Sequence, residues 1–185
     1  ECLYQEEAML VECIYPTAAK ESENDTSLVF LLQTPSMLVW LMGDAGISPE
    51  KEIMQGLSAV NMEALRKDRT VLLKVGHHGS KTSSTDKLLS VIKPKIVCVC
   101  CCAGSDEYTD NLNNQFPTQD FVSRVSKYTD RVYVTSIATD DEVGYKSFNG
   151  NIVVTYNAGA VSINCSNNNI ILKDTDWFKN YRKWE

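Results

Sequence analysis

The only two histidines of this 185-residue chain stand side by side at His77-His78, and a Gly43-Asp44 pair lies upstream of them. Each pair follows an apolar run, residues 37–42 before Gly43-Asp44 and residues 71–75 before the histidines. Aspartate and neutral imidazole are both good ligands for zinc or manganese, and a divalent ion lowers the pKa of a bound water to ~7. The chain continues Gly79-Ser80-Lys81-Thr82-Ser83-Ser84. The glycine lets the backbone approach a ligand closely, the hydroxyls of Ser80, Thr82, Ser83 and Ser84 can donate, and Lys81 brings positive charge suited to a phosphate. Ser84 or Thr85 can open the next helix, whose first amides also favour an anion. Each part also has a plainer reading. Gly-Asp after a strand makes a turn in which Asp44 bonds local amides, and a His-His pair can be a loop feature. What points to a site is the combination, because residues just beyond the carboxyl ends of successive strands line the ligand crevice of an open α/β sheet.

The elements that must position these residues are legible in the hydrophobic pattern. Residues 8–16 form a mostly buried strand stopped by Pro16, and residues 17–26 a polar loop. The runs 27–33 and 37–42, separated by Thr34-Pro35-Ser36, have hairpin spacing. One amphipathic helix follows, capped by Ser48, with Pro49 at its first position and Ile53, Leu57, Val60, Ala64 and Leu65 on the docking face. Strand 71–75, a helix over 85–92, strand 96–102, a long polar loop to Phe116, a helix over 118–128 and strand 131–136 come next. Strands 151–156 and 160–164 complete the sheet. Alternating strands and helices with a terminal hairpin indicate an α/β layer. The aromatics Trp177, Phe178, Tyr181 and Trp184 give residues 166–185 the character of a packed C-terminal helix, with a partner-binding helix as the other reading.

Composition bounds the function. The length suits one domain and 43% hydrophobic residues suffice for a core. A net charge of −6 offers no chain-wide basic footprint for a nucleic-acid backbone. No window approaches the ~18 apolar residues of a membrane helix. Of seven cysteines, Cys98, Cys100, Cys101 and Cys102 fall within five residues and lack the spacing of a zinc site. Cys98, Cys100 and Cys102 are expected to alternate onto one buried strand face. So many unpaired thiols favour a reducing compartment, the cytoplasm. Because the sequence begins with Glu1 and enters a strand at once, we expect a piece of a longer polypeptide.

The segments 24–32, Leu41-Met42-Gly43-Asp44, residues 72–84 with their Gly-His-His-Gly-Ser core, and 92–97 together resemble the ComEC/Rec2-type branch of the metallo-β-lactamase superfamily. The resemblance covers residues 9–162. It implies an αββα sandwich of which residues 1–165 are the second half, a mixed sheet with flanking helices. It further implies that Asp44 and His77 are metal ligands for one or two divalent ions, zinc or else manganese. His78 and Ser80 would then act on the substrate or transition state, and Lys81, Ser83 and Ser84 would bind it. The implied activity is metal-dependent hydrolysis of a phosphodiester or nucleic acid by metal-bound hydroxide.

Two departures stand out. The superfamily's His-X-His-X-Asp-His motif is absent, and Phe116 precedes Pro117 where relatives often place a histidine. Either the missing half is supplied by other sequence or a partner chain, or the chain is a noncatalytic, degenerate interaction module.

Overall fold

A computed structural model describes residues 2–6, 9–16, 24–139, 145–157 and 160–185. Eight strands form one mixed sheet in sequence order, β1 (Cys2–Glu6), β2 (Met9–Tyr15), β3 (Val29–Gln33), β4 (Met37–Leu41), β5 (Thr70–Lys74), β6 (Ile96–Ala103), β7 (Val132–Ala138) and β8 (Tyr145–Ser147). The first four pair antiparallel, β4 to β7 run parallel, and β8 returns antiparallel. The β3–β4 hairpin closes where Thr34 exchanges bonds with Met37: each residue's N–H donates to the other, to the Met37 carbonyl at 2.9 Å and to Thr34 Oγ1 at 2.9 Å.

Strand alternation divides the central strands between two faces. Leu38, Trp40, Val71, Leu73, Val97 and Val99 pack with the helices. Met37, Leu72, Ile96 and Cys98 point the other way. The buried aliphatic side chains contribute about 1.5–3 kcal/mol each relative to exposure. The second face is covered by β9 (Ile152–Asn157) and β10 (Ala160–Cys165) through Ile152, Val154, Val161 and Ile163. These two strands form their own antiparallel sheet and do not extend the main one as the sequence suggests. The described residues therefore make an α/β arrangement of helices, mixed sheet and hairpin, compatible with an α/β sandwich.

The parallel crossovers carry the helices. The single helix expected after Asp44 is instead broken into α1 (Ile47–Gly56), a 3-10 turn (Leu57–Ala59) and α2 (Met62–Arg66). Gly56 disfavours continuation, and Asn61 starts α2 by accepting the Ala64 N–H at 3.0 Å. Gly46 takes the first cap without a side-chain bond, so Ser48 lies inside the helix. Met62 is the buried residue of α2, whereas Val60 and Ala64 are exposed.

Helix α3 (Asp86–Ile92) is capped by Thr85, whose Oγ1 accepts from Leu88, and buries Leu88, Leu89 and Ile92. Helix α4 (Gln119–Val125) is capped by Thr118 and buries Phe121, Val122 and Val125. The cysteine alternation fails at a register shift between Val99 and Cys102. Cys98 is buried, but Cys100 is exposed and Cys101 and Cys102 are half-buried.

Residues 166–185 contain a short helix, α5 (Asp176–Tyr181), that buries Phe178 and leaves Tyr181 exposed. Residues 17–23 of the expected polar loop lie outside the described residues. Among the described residues no helix is long and apolar enough to cross a membrane.

Candidate functional site

Because β4, β5 and β6 are parallel, their carboxyl ends meet at one edge of the sheet. The turn after β4 begins with Gly43 at φ +54°, a left-handed conformation glycine adopts without steric cost. The Gly43 carbonyl accepts from Lys74 Nζ at 2.8 Å and from the His77 N–H at 3.3 Å, which binds the two strand ends together. Asp44 follows, its N–H donating to Ser27 Oγ at 3.1 Å. After β5 the chain turns through Gly76, where any Cβ would collide with the Ala45 carbonyl. His77 and His78 then adopt φ +42° and +54°, left-handed values uncommon for residues other than glycine. Such conformations persist where surrounding structure enforces them, and they cluster at functional sites.

That turn separates the histidines. His78 Nε2 stands 3.6 Å from Asp44 Oδ1, and its Nδ1 is 2.6 Å from the Cys100 carbonyl. A carbonyl only accepts, so Nδ1 donates to Cys100, and this bond fixes the ring with Nε2 toward the aspartate. At 3.6 Å the two donors face one another beyond hydrogen-bond length. His77, favoured as the ligand in the sequence, lies beside Phe116 with ring centroids 5.7 Å apart, as His78 does at 5.8 Å.

The Ser-Lys-Thr-Ser-Ser segment is mostly engaged with itself. Ser80 is buried and its hydroxyl lies 3.0 Å from Thr82 Oγ1, while Ser83, fully buried, donates to the Gly76 carbonyl at 2.8 Å. Ser84 is also fully buried. Ser83 and Ser84 are thus enclosed in the loop's interior, while Ser80 still lines the cavity beside His77. Lys81 remains at the surface, donating to Asn114 Oδ1 at 3.0 Å.

Two residues that the sequence reading left outside the site hold this loop. Glu50, buried in the first turn of α1, accepts the N–H groups of Ser84 and, at 2.8 Å, Thr85. Burial raises its carboxyl above the ordinary range despite those bonds and the nearby Arg124. Arg124 on α4 donates to the carbonyls of Ser84 and Ser83 at 2.9 and 2.8 Å, and to those of Ser80 and Lys81 at 3.3 and 3.2 Å. Glu50 looked like an ordinary first-turn acid, and Arg124 flanks the apolar face of α4; no local pattern marks either one.

A second support holds the loop between β6 and α4. Arg182 is buried and donates to the carbonyls of Leu112, Gln115 and Pro117, each at 2.9 Å. Its guanidinium lies 4.9 Å from the Trp177 ring centre. Phe116 in this loop sits beside both histidines and lines a cavity of about 110 Å³ with His78 and Cys100. A neighbouring cavity of about 300 Å³ is lined by His77, Lys81, Tyr108, Asn114 and Phe116. A larger concavity, about 810 Å³, lies between β2 and α1, away from these groups.

Among the described residues no group of three or more His, Cys, Asp or Glu side chains could hold a metal ion. Asp44 and His78 offer two donors, whereas a catalytic zinc takes three protein ligands. The described residues therefore do not by themselves fit a complete metal centre. Burial, followed by Cys100 and Cys165, pushes the Cys98 thiol up to about 12, and burial raises Cys101 and Cys102 as well.

Comparison with known proteins gives partial similarity. ComE operon protein 3 of Bacillus subtilis (strain 168) is 34% identical over 74 residues, covering 40% of this chain and 8% of that protein. Recombination protein 2 of Haemophilus influenzae is 27% identical over 124 residues, covering 67% of this chain and 14% of that protein. The chain is thus distantly related to this ComEC/Rec2 pair and matches a small part of either relative's length. No protein-family profile and no solved structure matches it.

Proposed function

We propose that this chain contributes the second half of a composite metallo-β-lactamase-like hydrolase site acting on phosphodiesters, with nucleic acid as the substrate class. The observation that carries this reading is the facing of Asp44 Oδ1 and His78 Nε2 at 3.6 Å, with the imidazole anchored through its other nitrogen. Anchoring of that kind orients ligating histidines in metal sites. Further ligands would come from sequence or a partner outside this chain. A divalent ion bound there would supply Lewis acidity and a more acidic water. The chain's own residues do the rest. Gly43 and Lys74 fix the aspartate turn against the histidine turn, Glu50 and Arg124 keep the following loop in shape, and Lys81 offers positive charge beside the crevice. Similarity to a protein named for recombination supports nucleic acid as the substrate class. The thiols Cys98, Cys100, Cys101, Cys102 and Cys165 suit a reducing compartment such as the cytoplasm.

The two-donor count favours a second reading, a noncatalytic interaction module. Elemental analysis of the native assembly, combined with phosphodiesterase and nuclease assays, separates the two. The hydrolase reading expects about one or two divalent ions per assembly, and an activity lost in both Asp44→Ala and His78→Ala. A metal-free, inactive native protein without a partner leaves the interaction module.

A further inference from the structure

Tyr108 is a large aromatic residue left 72% exposed on the loop between β6 and α4, where it buries little of its own surface. Its ring centre lies 6.1 Å from that of Phe116, and Phe116 lies 5.7 Å from His77. Both spacings fall in the range in which aromatic rings interact. All three rings line the cavity of about 300 Å³, together with Lys81 and Asn114. Asn114 accepts from Lys81 through Oδ1, and its amide donors have no hydrogen-bond partner among the described residues. The loop is held before any ligand arrives: Arg182 binds the Gln115 and Leu112 carbonyls and the Gly104 N–H donates to the Phe116 carbonyl at 2.9 Å. The cavity therefore offers flat apolar faces, amide donors and one cation. Phe116 is shared between this cavity and the one containing His78, so an occupant would sit one ring away from the Asp44–His78 pair.

We propose that Tyr108, Phe116 and His77 form a stacking subsite for one unpaired nucleobase, with Asn114 donating to its polar edge and Lys81 beside the phosphate. This rests on the phosphodiesterase reading and narrows the substrate to a nucleic acid presenting a splayed, single-stranded base. A duplex keeps its bases stacked and would offer this pocket only an edge. Stacking on aromatic side chains is tolerant of sequence, so the subsite selects strandedness and not base identity.

The test is equilibrium binding by the full chain in EDTA at low salt, measured by fluorescence anisotropy. Labelled single-stranded DNA is compared with an abasic strand of the same length and with duplex. The expected result is ~10-fold tighter binding of the base-bearing single strand than of the abasic one, consistent with one stacked base. Tyr108→Ala and Phe116→Leu should abolish that preference while leaving abasic affinity unchanged, and Tyr108→Phe should retain it. Equal affinity for base-bearing and abasic strands, a preference that survives Tyr108→Ala and Phe116→Leu, or no measurable binding would overturn the proposal. EDTA keeps binding separate from cleavage: a base preference together with a native assembly that cleaves no DNA when divalent metal is supplied would defeat the hydrolase reading and leave the subsite standing.

Discussion

His78 faces Asp44 while His77, its immediate neighbour, faces Phe116. Adjacent residues in left-handed conformation send their side chains in different directions. In the complete metal-bearing assembly, His78→Ala should therefore weaken metal affinity by more than the ~10–100-fold typical of losing an outer contact. His77→Ala should leave metal affinity nearly unchanged. Competition with a fluorescent zinc chelator measures both, and the reverse ranking would return the ligand role to His77.

Arg124 should be the most sensitive polar position remote from the donors, because one guanidinium satisfies four carbonyls of the loop after the histidines. Arg124→Ala is expected to cost ~1.5–3 kcal/mol in urea denaturation, the scale of a charged hydrogen bond. Arg124→Lys should restore little, since an ammonium on a flexible stem cannot reproduce the planar fork. Full rescue by lysine would reduce the role of Arg124 to its charge.

Glu50 sets a pH dependence. Burial, the largest influence, raises its folded pKa above the ordinary value of 4.5, so the folded protein holds this proton more tightly than the unfolded chain. Its contribution to stability is complete below about 4.5 and is lost as pH rises through the raised folded value. The stability of the wild type relative to Glu50→Gln should therefore fall as pH increases from 4.5 toward neutrality. Urea midpoints of both proteins across that window provide the test, and a constant difference would contradict it.

The cysteine run should react unevenly. Cys100 is exposed at the register shift of β6, whereas Cys98 is buried with its thiol pushed up to about 12, and burial raises Cys101 too. Iodoacetamide at pH 8 should label Cys100 well before Cys98 and Cys101, as read by peptide mass spectrometry. Equal labelling of the three would mean that β6 opens in solution.

The strands β2 to β7 along the chain, the helices α3 and α4 with their buried faces, and the placing of Asp44 and the histidines at successive strand ends were legible in local pattern and spacing, whereas β8 falls in a stretch that reads as turns. Apolar periodicity encodes those features directly. Four other features were not legible. The break after Gly56 depends on Asn61 competing to start a new helix. The division of labour between the histidines depends on two backbone angles. The burial of Ser83 and Ser84 depends on Glu50 and Arg124, which lie 34 residues before and about 40 residues beyond them in sequence. The layer formed by β9 and β10 depends on which sheet face was left uncovered. Each is a long-range choice that no window of neighbouring residues contains.

Arg182 meets the Pro117, Gln115 and Leu112 carbonyls across 65, 67 and 70 residues of sequence. A ribosome making this chain delivers Asp44, His77, His78 and the whole loop carrying Tyr108 and Phe116 long before it delivers the guanidinium that fixes that loop. During synthesis, the donor pair can thus be assembled while the neighbouring cavity still lacks its final shape. The order of translation thus supplies Arg124, which holds the loop after the histidines, well before Arg182, which holds the loop lining the cavity.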